Sequence, residues 1–253
     1  MIEAIGLTKR YDGGIVAVDD LNLSVPAGEL FGFLGPNGAG KTTTIKMLVG
    51  LLSPTSGQAR VAGFDLSTQA REAKQQIGYI PDNPYLYDRL TGREFLDFIA
   101  DIYGMPSGRV RYDEIERVLE LIDLTSRANL LIGSYSRGMR QKMAMAAALL
   151  HKPKALFLDE PTVGLDPSSV RRLKDILRQL SRTGETTVFL STHTLEVAAE
   201  ICDRVGIFNR GKLVALGSPA ELTAQAASGK LEDIFLQVTG PGATDEEADP
   251  TSS

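Results

Sequence analysis

Between residues 35 and 42 the chain reads Gly35-Pro36-Asn37-Gly38-Ala39-Gly40-Lys41-Thr42, preceded by the apolar run Leu30-Phe31-Gly32-Phe33-Leu34 and followed by the helix-compatible Thr43-Thr44-Ile45-Lys46-Met47-Leu48. Strand, glycine-rich turn and helix in this order are the context that a phosphate-binding loop requires. Glycines let the backbone curl until successive N–H groups point inward, and the helix that follows offers the positive end of its dipole to the same charge. Lys41 then reaches the β- and γ-phosphates, and Thr42 offers a hydroxyl to Mg²⁺. The loop predicts binding of a nucleoside triphosphate.

The rest of the chain is organised around that loop. Ile2 to Val25 reads as short strands on either side of a turn at Asp12-Gly13-Gly14, and Pro26-Ala27-Gly28-Glu29 interrupts before the buried strand. After the loop helix, the turn cluster Ser53-Pro54-Thr55-Ser56-Gly57 leads to a strand-like Ala59-Arg60-Val61-Ala62-Gly63. A strand around Gly78-Tyr79-Ile80 runs into Pro81-Asp82-Asn83-Pro84, which fits neither a helix nor a central strand. The pattern then turns helical. Thr91 and Glu94 stand at capping-box spacing before Phe95, Phe98, Ile99 and Ile102 on one expected face, and further helices are expected over roughly 113–122 and 137–150. Beyond Lys152-Pro153, apolar runs alternate with helices again, the signature of βαβ units in a mainly parallel sheet. The expected divisions are a core over 1–82, a helical lobe over 83–152, a return to the core over 153–217, a helical extension over 218–239 and a disordered acidic tail over 240–253.

Ala155-Leu156-Phe157-Leu158-Asp159-Glu160-Pro161 is an apolar strand ending in two carboxylates, at the position where ligands sit in an open α/β sheet. In a phosphate-loop NTPase the first acid, here Asp159, holds Mg²⁺, and the second, here Glu160, polarises an attacking water. About twenty residues earlier, Ser134-Tyr135-Ser136-Arg137-Gly138-Met139-Arg140-Gln141 leads into an alanine-rich helix. Read alone, Ser136 is a helix cap.

With these three elements in order, the chain resembles the ATP-binding cassette family, whose signature loop is commonly Leu-Ser-Gly-Gly-Gln. Ser136 and Gly138 match its serine and second glycine, while Tyr135, Arg137 and Met139 depart from it. The resemblance covers roughly residues 2–238 and implies a RecA-like P-loop NTPase core of α/β class, with a β-rich N-terminal edge and an inserted α-helical subdomain. It implies that Tyr11 stacks on adenine, that His193 contacts the γ-phosphate, and that Asp166 lies in a loop linking two active sites, although Asp166 also reads as an N-cap before Pro167. Where the family commonly has a metal-sensing glutamine, this chain has Asp82, which leaves a water-mediated contact with the metal. The implied nucleotide-binding set is Tyr11, Gly35, Pro36, Asn37, Gly38, Ala39, Gly40, Lys41, Thr42, Thr43, Ser136, Gly138 and Asp166. The catalytic set is Lys41, Glu160 and His193, and the metal set is Thr42, Asp159 and Asp82. ATP and Mg²⁺ are the implied ligands. The implied partners are a second cassette, identical or related, and an integral membrane permease that holds the chain at the cytoplasmic face. Pro84-Tyr85-Leu86-Tyr87-Asp88 with Leu90-Thr91, and the ending Leu231 to Leu236, resemble ABC-2-type exporters. A soluble ATPase serving as an assembly factor is the alternative.

Composition narrows the field further. The tail acids Asp245, Glu246, Glu247 and Asp249 account for four of the five net negative charges, so the remainder is nearly balanced and no basic surface for nucleic acid is expected. The lone Cys202 excludes an internal disulfide, and its apolar neighbours suggest burial; with only His151 and His193 beside it, a zinc site is not expected. No run approaches the ~18–20 apolar residues that cross a bilayer, and Met1-Ile2-Glu3-Ala4 does not read as a signal sequence.

Overall fold

The computed structural model describes residues 1–225, 235–237 and 240; the expected acidic tail beyond 240 and most of the extension after 225 lie outside the described residues. Two sheets make up the β structure. β1 (Ile2–Arg10), β2 (Val16–Val25), β4 (Ser56–Val61) and β5 (Phe64–Asp65) form an antiparallel sheet in the order β2-β1-β4-β5. The strands around the Asp12-Gly13-Gly14 turn are therefore long, nine and ten residues, rather than short. Their pairing contains register shifts, which let so long a ribbon twist.

The second sheet carries the site. β3 (Leu30–Leu34), β6 (Ile77–Ile80), β7 (Ala155–Asp159), β8 (Thr187–Thr192), β9 (Arg204–Asn209) and β10 (Lys212–Gly217) lie in the order β10-β9-β3-β8-β7-β6. All pairs are parallel except the β9-β10 hairpin. β3, β7 and β8 are buried along their whole length, as expected of apolar strands covered on both faces. Alternation along them sorts two cores. Phe31, Phe33, Phe157, Phe189 and Phe208 face the antiparallel sheet and α1 (Lys41–Leu48), with ring centroids 4.7 to 5.5 Å apart. Leu30, Leu34, Leu156, Leu158, Val188 and Leu190 face the other helices. Gly32 lies where a side chain would not fit: a Cβ there would stand 2.8 Å from the sulfur of buried Cys202.

The segment between β6 and β7 is helical: α3 (Gly92–Ile102), α4 (Arg109–Leu121) and α5 (Arg137–Leu149), whereas α2 (Ala70–Gln75) precedes β6. Thr91 and Glu94 do form the reciprocal capping box of α3. The buried face of that helix differs from expectation. Phe95, Leu96 and Ala100 are buried, whereas Phe98 and Ile102 are exposed on the adjacent flank, because α4 and α5 pack against the other side. α4 begins at Arg109, earlier than expected, where exposed charged residues mask its apolar period. After β7 come α6 (Pro167–Arg182) and α7 (Leu195–Ile201), and α8 (Pro219–Gln225) follows β10. α2 and the hairpin β9-β10 are elements for which the sequence reading made no provision.

Candidate active site

The loop 35–40 leaves the carboxyl end of β3, the middle of the parallel sheet, and runs into α1. Its glycines are required by contact as well as by curvature. A Cβ on Gly35 would stand 2.2 Å from the carbonyl oxygen of Phe208, and one on Gly40, whose φ is 106°, would stand 2.1 Å from that of Ala17. Gly211 in the β9-β10 turn donates its N–H to the Ala39 carbonyl at 2.9 Å, so the hairpin buttresses the loop from behind. Asn37, Gly38 and Thr42 are exposed toward the cleft, while Ala39 and Lys41 are buried.

Three elements bring charge together above this loop. β7 and β8 pair in parallel with Asp159 opposite Ser191, so their carboxyl ends deliver Asp159, Glu160, Thr192 and His193 side by side. Asp159 is fully buried; one carboxylate oxygen accepts from the Ser191 hydroxyl at 2.5 Å, while Oδ2 has no hydrogen-bond partner. Glu160 adopts a left-handed backbone, φ 47°, which costs a non-glycine residue of order 1 kcal/mol or more. Its N–H donates to both the carbonyl and the hydroxyl oxygen of Ser191 at 3.2 Å, which holds it there. One carboxylate oxygen, Oε2, stands 2.9 Å from His193 Nδ1 and accepts the His193 N–H at 3.3 Å. The other, Oε1, is 3.3 Å from Lys41 Nζ, close enough for charge attraction but not aligned for a hydrogen bond. Lys41 itself donates to the carbonyls of Gly35 at 2.6 Å and Pro36 at 3.2 Å. Lys41, Glu160 and His193 thus form one continuous polar contact, with Ser191, which sequence reading did not single out, supporting both acids. A serine inside an apolar strand, two positions before His193, is the only sequence signal for it.

The remaining expected residues fall in two places. Tyr11 is beside the loop: its hydroxyl lies 3.4 Å from Thr43 Oγ1, its ring is partly exposed, and Lys9 Nζ is 5.4 Å from the ring centroid. Asp82 follows β6, is exposed, and accepts the N–H of Asn83 at 2.8 Å. Burial, then the charges of Asp159 and Asp82, push the Tyr79 phenol up to about 12, which puts Asp82 in the same electrostatic neighbourhood as Asp159. Ser136 caps α5, accepting the Met139 N–H at 3.3 Å, and Gly138 lies in the first turn of that helix. Asp166 caps α6, accepting the N–H groups of Ser168 at 3.0 Å and Ser169 at 3.1 Å, and the hydroxyls of these serines hold its carboxyl well below the usual range. The helix-cap readings of Ser136 and Asp166 therefore describe contacts that exist. Cys202 is buried, and desolvation raises its thiol far above the usual value.

No cluster of three or more His, Cys, Asp or Glu among the described residues forms a ready metal cage. The donors suit a magnesium ion that keeps several waters and shares oxygens with a phosphate chain, since Asp159 Oδ2 is buried and lacks a partner and Thr42 is exposed at the loop.

Comparison with known proteins places the arrangement in a family. The ABC transporter family model matches residues 18–163. The probable multidrug ABC transporter ATP-binding protein YbhF of Escherichia coli (strain K12) is 42% identical over 243 residues, which cover 94% of this chain but 41% of that protein. This chain thus spans less than half the length of that relative. The linearmycin resistance ATP-binding protein LnrL of Bacillus subtilis (strain 168) is 39% identical over 242 residues, covering 96% of this chain and 76% of LnrL. Among solved structures, the dimeric post-hydrolysis state of the ATP-binding cassette MJ0796 bound to ADP and Pi aligns with a TM-score of 0.80 and 25% identity, covering 86% of this chain and 98% of that one. The fold is the RecA-like P-loop NTPase fold, and the chain belongs to the ABC transporter family as an ATP-binding cassette.

Proposed function

We propose that this chain hydrolyses ATP to drive a separate integral membrane subunit, in a transporter of the ABC-2 export type. The observation that carries the chemistry is the position of Glu160, whose carboxylate is fixed between Lys41 and His193 at the mouth of the phosphate loop. A group in that position orients and polarises a water for in-line attack on the γ-phosphate. Lys41, freed from the Gly35 and Pro36 carbonyls, neutralises charge on the β- and γ-phosphates together with the loop N–H groups. His193 holds the γ-phosphate side of the site, and Tyr11, adjoining Thr43, offers a ring face to adenine. Magnesium, when bound, supplies charge neutralisation between the phosphates, and Thr42 and Asp159 are the residues that would hold it, with Asp82 reaching it through water.

Ser136 and Gly138 present a hydroxyl, backbone N–H groups and a helix N-terminus, and in this reading they meet the γ-phosphate bound by a second copy or a related cassette. The dimeric ADP-bound relative supports that assembly. A membrane partner is supported by the resistance and multidrug names of the relatives. It is also supported by a cleft of about 440 Å³ between core and helical segment, lined by Leu51, Tyr79, Tyr85, Phe95 and Ile99 among others. No helix among the described residues is long and apolar enough to cross a membrane.

The decisive experiment is Glu160→Gln, which keeps shape and removes the charge. ATP binding should persist while phosphate release falls by about 10²–10⁴-fold, the range of a positioned acid–base group. Wild-type turnover in this variant would remove Glu160 from the mechanism and leave the ATP-hydrolysis reading without its main support.

A further inference from the structure

Arg137 stands where the family's signature loop commonly has glycine, and its side chain has a specific resting place. A Cβ on Gly164 would lie 2.5 Å from the Arg137 Cζ, 2.6 Å from Nε and 2.8 Å from Nη1, so the guanidinium lies flat on the Gly164 backbone. Gly164 has φ 74° and belongs to the turn that descends from Glu160. That turn is short and internally tied: the Val163 N–H donates to the Glu160 carbonyl and the Leu165 N–H to the Thr162 carbonyl, both at 3.2 Å. Leu165 makes a second contact across the same seam, with its Cδ2 3.8 Å from where a Gly138 Cβ would be. Arg137 makes no ion pair among the described residues, although it is a long, exposed cation at the first position of α5. Packing on the turn is therefore the contact that the structure gives it.

We propose that Arg137 is a positioning residue that clamps the loop carrying Ser136 and Gly138 to the turn following Glu160, so that the surface offered to a neighbouring cassette and the approach to the chain's own water-activating acid move as one piece. The physical basis is planarity: a guanidinium stacks on an exposed peptide face that only glycine leaves open, which a lysine ammonium cannot do. This rests on the trans role of Ser136 and Gly138 given above, but the clamp itself lies within one chain.

Two readouts separate the clamp from that reading. In the nucleotide-free chain, hydrogen exchange at the amides of Val163 and Leu165 reports local opening of the turn. Arg137→Ala and Arg137→Lys should both accelerate it by about tenfold, and unchanged exchange in Arg137→Ala overturns the clamp. In steady-state hydrolysis, Arg137→Ala should lower kcat by about tenfold with KM for ATP within about twofold, as expected when an interaction is lost after binding. Gly164→Ala displaces the guanidinium without removing its charge but also strains a backbone at φ 74°, so its loss should be at least as large, and in the Arg137→Ala background it should cost only that strain and so less than in the unaltered chain. Full rescue of turnover by Arg137→Lys, with Gly164→Ala neutral, would overturn the proposal and assign Arg137 a purely electrostatic role. If exchange changes as expected while ATP fails to dimerise Glu160→Gln chains, the clamp stands and the trans role of the signature loop falls.

Discussion

At the residue scale, the site is built from groups that hold one another. Lys41, buried and donating to two loop carbonyls, lies 3.3 Å from Glu160, and Glu160 keeps a non-glycine left-handed backbone because Ser191 receives its N–H. A different, half-buried group gives a test of stability. His151 stacks on Tyr103 with centroids 3.6 Å apart, donates from Nε2 to the Ile77 carbonyl at 3.1 Å, and leaves Nδ1 buried without a partner. Burial pushes its pKa down to about 4, because a proton on Nδ1 would have no acceptor. The unfolded chain takes up that proton near pH 6.5 and the folded chain does not, so folding is opposed increasingly as pH falls from about 6.5 to about 4. His151→Gln should therefore flatten the fall in stability across this window, by up to about 3 kcal/mol at the acid end. Denaturant midpoints of the two chains from pH 7 to 4 check this; parallel curves would mean that His151 titrates normally.

At the element scale, helix starts are where local sequence and structure agree most closely. The Thr91 hydroxyl accepts the Glu94 N–H at 3.2 Å and the Glu94 carboxylate accepts the Thr91 N–H at 2.9 Å, closing the first turn of α3. Ser218 and Glu221 repeat the arrangement at α8. Thr91→Ala removes one half of the first box and should cost about 1 kcal/mol, read as a lower denaturation midpoint. The face that α3 buries could not be read in the same way. Its sequence supports a stripe through Phe95, Phe98, Ile99 and Ile102, and another through Phe95, Leu96, Ile99 and Ala100; the packing of α4 and α5 selects the second. The side left over keeps Phe98 and Ile102 exposed, with Tyr87 in an edge-on contact with Phe98 at 5.4 Å.

At the scale of the whole molecule, the proposed assembly rests on two surfaces. ATP added to Glu160→Gln chains should convert a monomer or weak dimer into a tighter dimer, seen as an increase in mass by light scattering. Unchanged mass over a broad concentration range would count against two cassettes enclosing nucleotide. Mixing Lys41→Ala with Ser136→Ala chains should restore one composite site in the mixed dimer and so recover part of the turnover that each chain lacks alone. The other surface is the segment from Asp82 to Asp88 with the helical wall beside it. Tyr85 is almost wholly exposed, and Asp88 is paired with Arg140 at 2.6 Å, one turn beyond Ser136 on α5, which links the segment to the signature helix. Tyr85→Asp should leave basal hydrolysis intact while weakening capture of the membrane partner and its stimulation of turnover, since coupling needs a contact that differs between nucleotide states. Intact capture and stimulation would place the docking surface elsewhere; failure to capture any membrane subunit with the unaltered chain would favour the soluble-ATPase alternative.

What depends on neighbours along the chain is legible without the fold: the phosphate loop between strand and helix, the caps of α3, α5 and α6, the apolar β3, β7 and β8, and the two acids ending β7. Each follows from backbone geometry or short-range hydrogen bonding, which a few residues specify. Contacts between distant segments arise only once the strands pack. Parallel pairing of β7 with β8 sets Asp159 beside Ser191 and brings His193 to Glu160, contacts spanning 32 and 33 positions in sequence. The hairpin β9-β10 supplies the Phe208 carbonyl that makes Gly35 obligatory and the Gly211 N–H that supports Ala39. Glycine spacing shows that a loop must bend, while the reason these particular positions tolerate no Cβ lies in strands that arrive from the far end of the chain.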